Sequence, residues 1–539
     1  MMQIPDWLKS KGYLHLSPSL KIGENWRIYK RQIENKDFVS KYAFYPLIHS
    51  FILERKYKNA DSSKHATIGR SHKHINKITS NTEKTAKLRP LHYASHYDAL
   101  IYGYYAHLLN QKYEEKLNAV PGLSDSVTAY RKLKIEDGLD KGKSTIHFAK
   151  DVFDEVKKRS NYGKEVAVLT FDIKGFFPSL DHTILKQKWA YIIDEEKLPD
   201  DHYNVFKSCT NFNYVLANDL RRRQTKGQRK SGFDESKLAK IRKEKGFKCF
   251  FESNEDFRNH IKQGKLRVYN NPFRKTAPNG KKVKIGIPQG LPVSAILANI
   301  YLYDFDRSII LDLVEKKDSY YRRYSDDIIV ICKVEEIEFT KNYIEELILE
   351  SELKISREKT ETFIFKHLEY NRIGQSRLTS IKIKGDSTQS IGSPLIYLGF
   401  EFRGYNVVLK STNLAKYYRR LISIIKRRAK RVRKVIVNDP LQKKSIYINQ
   451  IKKLYNKPLR ELDSENKDLK QKQRNRTKLE INERGEYSTI SFEHNSKRRD
   501  SNYMGYVKRC VAVFGEKIFE HQVRKRKHIV YSAIKKHLK

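Results

Sequence analysis

Between Arg323 and the apolar run Ile328, Ile329, Val330 and Ile331 stands the tetrad Tyr324-Ser325-Asp326-Asp327. Two adjacent carboxylates in a tight turn between β-prone flanks make a seat for hard divalent cations, which prefer oxygen ligands. On its own such a pair is more often a solvated turn. Two further segments change that balance, because they supply the other parts such a seat needs.

The first is Val166-Ala167-Val168-Leu169-Thr170-Phe171-Asp172-Ile173-Lys174-Gly175-Phe176-Phe177-Pro178. Its apolar, β-branched start predicts a strand that delivers Asp172 to its C-terminal end, and Gly175 and Pro178 then turn the chain. The second runs from Gly286-Ile287-Pro288-Gln289-Gly290-Leu291-Pro292 into Val293-Ser294-Ala295-Ile296-Leu297-Ala298. A Gly/Pro-rich loop leading into a helix-capable apolar run suits backbone laid against a nucleotide with a helix behind it.

In this order the segments resemble the catalytic palm of reverse transcriptases. The family's FD…F, PQG and [YF]xDD signatures stand here as Phe171-Asp172 with Phe177, as Pro288-Gln289-Gly290 and as Tyr324-Ser325-Asp326-Asp327. Leu353-Lys354-Ile355-Ser356-Arg357-Glu358-Lys359-Thr360 is similar to the family's motif D, and Tyr397-Leu398-Gly399-Phe400-Glu401-Phe402 to its primer-grip motif E. Any one match is modest; five in the family's order are not readily a coincidence. The resemblance implies an α+β right-hand polymerase with fingers, a palm built on an antiparallel sheet, a thumb, and a basic α-helical C-terminal region. The expected division is residues 1–160 as an N-terminal, mainly helical region with the fingers, 161–410 as palm with an insert over 190–285, and 411–539 as thumb and C-terminal region.

The implied chemistry is nucleotidyl transfer. A hydroxyl attacks the α-phosphorus of a dNTP in line, and two metals about 4 Å apart activate it and neutralise the departing pyrophosphate. That task needs carboxylates from separate strands meeting at one point. Asp172 and Asp326 are the expected bridging ligands, with Asp327 as third acid and the Ile173 carbonyl as an extra oxygen. Two magnesium ions are expected, with manganese as the alternative, since magnesium shares its sphere with waters and substrate phosphates. By resemblance Phe177 is the steric gate that disfavours a 2′-hydroxyl, and Gln289 lines the nucleotide pocket. Lys359 is a candidate general acid for the pyrophosphate. In Ser126-Val127-Thr128-Ala129-Tyr130-Arg131-Lys132-Leu133, Arg131 is the expected fingers arginine over the triphosphate, because a guanidinium fork matches phosphate oxygens. Gly138-Leu139-Asp140-Lys141-Gly142-Lys143-Ser144-Thr145 imitates a P-loop but has three residues between its glycines where that motif needs four.

Charge agrees with a nucleic-acid enzyme. Lys and Arg outnumber Asp and Glu by 109 to 63, a formal charge of +46, so a polyanion should bind with salt-dependent affinity. No apolar span of about twenty residues and no signal peptide is read in the sequence, so no membrane is expected. Cys209, Cys249, Cys332 and Cys510 show neither metal spacing nor a disulfide framework, and a cytoplasmic setting is expected. The 34 tyrosines include a Tyr/His-rich stretch from Arg89 to Leu109 whose rings could stack bases but are more often core. The run from Arg221 to Lys230 reads as a mobile arm, a nucleic-acid contact or a disordered stretch. From 411 onward, nine Lys and Arg between Arg419 and Lys434 alternate with Leu421, Ile422, Ile424 and Ile425, which predicts an amphipathic helix. Residues 457–500 read as a polar linker or excursion before a final helical stretch from Tyr503.

No appended nuclease is read in the sequence, and the chain resembles bacterial defence-associated and abortive-infection reverse transcriptases. Ser325, where that family commonly has alanine, is a small-for-small departure. The resemblance implies DNA synthesis against phage from dNTPs. An associated noncoding RNA is copied, or DNA is extended without template from a tyrosine hydroxyl; some members form homo-oligomers. Rival readings are a mobile-element or retron-type enzyme and a non-enzymatic RNA-binding protein on a polymerase scaffold. An RNA-dependent RNA polymerase is opposed by Phe177.

Overall fold

The computed structural model describes residues 4–20, 22, 23, 25–135, 142–222, 232–370, 374–383, 389–438, 451, 454, 455, 475–481, 487–493 and 502–538. The chain divides into two compact units: Met1–Lys132 with Val166–Thr362, and Leu133–Glu165 with Phe363–Lys539. This grouping differs from the boundaries expected at 160 and 410. The helix Thr145–Arg159 goes with the C-terminal unit because its buried face, which includes Val152, Phe153 and Val156, packs there; Phe153 stacks on Phe402 with ring centroids 4.6 Å apart.

In the first unit the strands Tyr320–Tyr324, Asp327–Cys332 and Val166–Asp172 lie side by side in that order, all antiparallel. Ile328–Cys332 and Val166–Leu169 are buried at every position, as uninterrupted apolar runs require when both faces of a sheet are covered. Helices His96–Asn118, Ser294–Tyr301 and Ile337–Glu350 contribute to the same core. Along His96–Asn118, Tyr102, Tyr105 and Tyr113 are fully buried, and the Tyr105 hydroxyl donates to Asp201 at 2.6 Å. Those rings are core with a polar tip satisfied, not base platforms.

The expectation of a mainly helical first 160 residues fails between 47 and 93. Leu47–Arg55 and Ala86–Tyr93 pair antiparallel as a long ribbon, with shorter strands between them. The apolar, extended run Leu47, Ile48, Phe51, Ile52 and Leu53 is a strand signal that the surrounding Lys, His and Asn residues obscure. The insert over 190–285 has its own small core of Val215, Leu238, Phe250, Phe251, Phe257 and Leu266, closed by Leu16 and Ile48. Arg223–Lys230 of its basic run lie outside the described residues, as do residues 138–141 of the P-loop imitation.

In the second unit, strands Leu395–Tyr397, Phe400–Phe402 and Val407–Leu409 form a small antiparallel sheet. The helix Ser411–Asn438 buries Leu421, Ile425, Ala429 and Val432, a stripe of helical period, and packs on Arg526–Leu538 through Val530 and Ala533. The stretch 457–500 is not simply a linker: Asn475–Ile481 pairs with Tyr487–Glu493 as a hairpin. Thr477, Leu479 and Ile481 alternate with Arg476, Lys478 and Glu480, a period-two pattern overshadowed by the charge around it. All four cysteines are free and buried. Among the described residues no helix is long and apolar enough to cross a membrane.

One buried polar network supports the sheet's hairpin. The Arg323 side chain is wholly inaccessible and grips Asp306 through both oxygens, Nε–Oδ1 at 2.7 Å and Nη2–Oδ2 at 2.5 Å, while the Tyr321 hydroxyl donates to the same carboxylate. Burial alone would drive the guanidinium toward neutrality, but Asp306 outweighs it and raises the pKa. Arg323→Met leaves Asp306 buried and uncompensated and should cost about 3–5 kcal/mol. Arg323→Met with Asp306→Leu should recover most of that loss. Urea-unfolding midpoints check this; equal losses in the single and double variants would refute the pairing energetics.

Candidate active site

Tyr324 pairs directly with Asp327, so Ser325 and Asp326 form a two-residue turn. Ser325 takes φ +60°, the left-handed value a II′ turn needs at its first central position, which favours glycine. Three contacts hold this uncommon conformation. Arg323 Nη1 donates to the Ser325 carbonyl at 3.2 Å, the Ile173 N–H donates to the Asp326 carbonyl at 3.2 Å, and the Tyr130 hydroxyl donates to Ser325 Oγ at 3.3 Å. The neighbouring strand sets Asp172 opposite Asp327 in register. Asp172 and Asp326 both line a cleft of about 830 Å³, together with Lys87, Arg89, Tyr130, Phe177, Gln289 and Lys359. Asp327 is exposed at the turn's exit and does not line that cleft.

The segment expected as motif D closes the same corner. Ser356 N–H donates to the Asp172 carbonyl at 2.7 Å and Lys174 N–H to the Lys354 carbonyl at 2.8 Å. This places Lys359, half exposed, with its ammonium 2.5 Å from Asp172 Oδ2. The Asp326 pKa is raised, first by burial and further by the charge on Asp172, with Lys359 and Lys87 acting in the opposite direction.

Among the described residues no three His, Cys, Asp or Glu side chains gather into a metal cage. Magnesium needs less, because one or two carboxylates plus substrate phosphates and water suffice. Asp172 and Asp326 fit that requirement. They are hard oxygen donors whose like charges repel, and Lys359 already supplies a positive charge at Asp172 where a divalent cation would stand.

Another wall of the cleft is built by the loop before Ser294–Tyr301. Ile287 N–H donates to the Phe177 carbonyl at 2.9 Å, His92 N–H to the Gln289 carbonyl at 2.8 Å, and Ser294 Oγ to the Pro288 carbonyl at 2.6 Å. Gly290 has φ +115°, and a Cβ there would run into the His92 carbonyl, so only glycine lets the loop lie this close to the ribbon. Phe177 and Gln289 therefore share the cleft with the acids.

Arg131 does not. Its guanidinium is buried beneath the loop, paired with Glu114 and hydrogen-bonded to the carbonyls of Ser124 and Val127. A fork with its donors already committed has little left for a phosphate. Lys132 is exposed and pairs with Asp6 at 2.7 Å. Besides Lys11, Lys174 and Lys359, the cations that reach the cleft are Lys87 and Arg89, two apart on the ribbon strand Ala86–Tyr93 and hence on one face, with Arg89 half exposed and 3.3 Å from Glu54. The Lys87 pKa is lowered, chiefly by burial and then by Arg89, Lys359 and Lys56, while Asp172 opposes the shift. Their signal in the sequence was the alternation Lys87-Leu88-Arg89, which is visible only once that stretch is taken as a strand.

Residues 230–402 match the family model described as "Reverse transcriptase (RNA-dependent DNA polymerase)". The matched domain is that of RNA-directed DNA polymerases, which are nucleotidyltransferases. The match takes in Gln289, Asp326, Asp327 and Lys359 but begins after Asp172 and Phe177. No curated protein matches the chain. Among solved structures, the apo telomerase from Candida tropicalis truncated from its C-terminal domain is 12% identical over 71% of this chain and 60% of that one, with a TM-score of 0.33. The telomerase from Candida albicans with a TWJ fragment of telomeric RNA is 11% identical over 75% of this chain and 54% of that one, at 0.33. The chain thus spans 60% or less of these telomerase chains.

The contrast between Arg131 and the ribbon cations is testable. Arg131→Ala should lower the unfolding midpoint. Lys87→Ala and Arg89→Ala should leave it unchanged and weaken tripolyphosphate binding about tenfold each, measured by calorimetry. An Arg131 variant that kept full stability while losing tripolyphosphate affinity would restore the original expectation.

Proposed function

We propose that this protein is a reverse-transcriptase-type DNA polymerase that joins dNTPs to a growing strand by two-metal nucleotidyl transfer. The observation that carries the proposal is that Asp172 and Asp326 line one cleft with Phe177 and Gln289, with Asp327 set in register opposite Asp172 on the neighbouring strand. A binding scaffold alone has no need for paired acids with a nucleotide-sized cleft between them.

Asp172 and Asp326 would hold two divalent cations, with Asp327 and the Ile173 carbonyl as further oxygens. Such ions, when bound, activate the attacking hydroxyl and neutralise charge on the leaving pyrophosphate. Lys87 and Arg89, rather than Arg131, bind the triphosphate. Phe177 lies beneath the sugar and excludes a 2′-hydroxyl, and Gln289 contacts the nucleotide from the loop. Lys359, ion-paired with Asp172, would donate a proton to the pyrophosphate.

In this reading the ribbon Leu47–Tyr93 belongs to the fingers, the strands Tyr320–Tyr324, Asp327–Cys332 and Val166–Asp172 to the palm and the basic helix Ser411–Asn438 to the thumb. That helix buries an apolar stripe and carries many cations, such as Arg420, Arg427 and Arg431, which suits a phosphate backbone. The biological role is antiphage defence, with an associated noncoding RNA copied or DNA extended without template from a protein primer; the resemblance to defence-associated enzymes supports the defence role.

The test is incubation of the purified full chain with magnesium and labelled dNTPs, with portions pretreated with RNase and products treated with protease. RNase-sensitive DNA synthesis is the result expected of an RNA-templated enzyme. RNase-resistant product that migrates with protein until proteolysis would instead mark protein-primed synthesis. Asp326→Ala with Asp327→Ala should abolish either product while leaving nucleic-acid binding nearly intact, since the basic field remains. Synthesis retained by that double variant would falsify the proposed site.

A further inference from the structure

In the unit containing Phe363–Lys539, the Arg377 guanidinium lies over two phenol rings at once, 3.8 Å from the centroid of Tyr405 and 4.7 Å from that of Tyr370. The rings remain open to solvent, Tyr370 50% and Tyr405 39% exposed. Arg377 Nε is buried without a hydrogen-bond partner, and among the described residues no acid pairs with the guanidinium. A stack that served only to pin the fold would hide its ring faces and satisfy that nitrogen. This one leaves two tyrosines substantially exposed around a guanidinium whose buried Nε has no partner.

The three residues are held rigidly. Thr379 bridges to Gly404, and Ser380 N–H donates to the Arg403 carbonyl at 3.1 Å, which fixes the turn bearing Tyr405 against the strand Ser376–Ile383 bearing Arg377. Tyr370 is tied to Gln375 through both its hydroxyl, at 2.8 Å, and its N–H, at 3.0 Å. The rings therefore stand ready without reorganisation on binding.

Exposed phenol rings accept nucleobases whatever their sequence, on the faces that Arg377 does not cover, and the outer nitrogens of a guanidinium suit a phosphate oxygen. An acidic peptide would satisfy the guanidinium but leave both rings unused. We propose that Tyr370, Arg377 and Tyr405 form a binding site for a single-stranded segment of nucleic acid, with bases stacked on the rings and a phosphate on Arg377. The inference rests on the nucleic-acid reading above but names a site outside the acid-lined cleft.

The experiment reads binding, not synthesis, so it can fail or succeed apart from the polymerase reading. Full-length protein carrying Asp326→Asn is titrated with a single-stranded oligonucleotide containing 2-aminopurine, and a 5-iodouracil version is photocrosslinked and mapped by mass spectrometry. The expected result is fluorescence quenching and crosslinks to Tyr370 or Tyr405. Tyr370→Ala with Tyr405→Ala should lose both signals and about tenfold in affinity, whereas the paired Phe variants should keep the quenching. Arg377→Gln should lower the salt-dependence slope by about one. Quenching unchanged in the Ala pair, crosslinks confined to other segments, or equal affinity for an abasic oligonucleotide would overturn the site. So would displacement of the oligonucleotide from these tyrosines by polyglutamate at equal charge, which would point to acidic protein as the ligand.

Discussion

The buried contact between Arg323 and Asp306 is what the acid-bearing turn of the candidate site depends on. A charged guanidinium with no solvent access is tolerable only with a carboxylate gripping it, and here Nη1 donates to the carbonyl of Ser325 and to Asn299 Oδ1. The turn that carries Asp326 is thus tied to the helix Tyr303–Ile309 from beneath. On its other side the Ile173 N–H ties it to the strand bearing Asp172. Two carboxylates can be held beside one another in this way because the backbone fixes the turn and the Lys359 ammonium offsets part of their repulsion.

Much of this corner was legible in the sequence, because its parts are local. Asp172 ends an apolar strand, Gln289 sits in a Gly/Pro loop and Asp326 in a turn, so each announces its own backbone geometry. What was not legible depends on distant partners. Arg131 has the residue type of a phosphate ligand, but Glu114, one helix earlier, claims it. Lys87 and Arg89 reach the cleft because Ala86–Tyr93 pairs with Leu47–Arg55, a pairing that charge-rich sequence conceals. The hairpin Asn475–Ile481 with Tyr487–Glu493 was hidden in the same way.

The family match covers residues 230–402, with Gln289, Asp326, Asp327 and Lys359, yet it stops short of Asp172. The sheet supplies the missing connection. Asp172 and Asp327 are 155 residues apart in sequence and opposite one another in the structure, so strand pairing carries the candidate site beyond the matched stretch. Gly290 works at a similar range, since its lack of a side chain lets the nucleotide loop rest on the ribbon that delivers Lys87 and Arg89. The cleft is therefore assembled from segments that have no sequence proximity, each placed by backbone hydrogen bonds.

The most direct measurement is single-turnover incorporation of a dNTP into a primed RNA template by Asp172→Asn, a near-isosteric change on the strand outside the matched stretch. The account predicts a rate loss of about a thousandfold or more with primer–template affinity unchanged, because one bridging carboxylate is gone while the basic surface is intact. Incorporation within a few-fold of wild type would contradict it, and would mean that the meeting of Asp172 with Asp327 is a feature of the sheet and not of the chemistry.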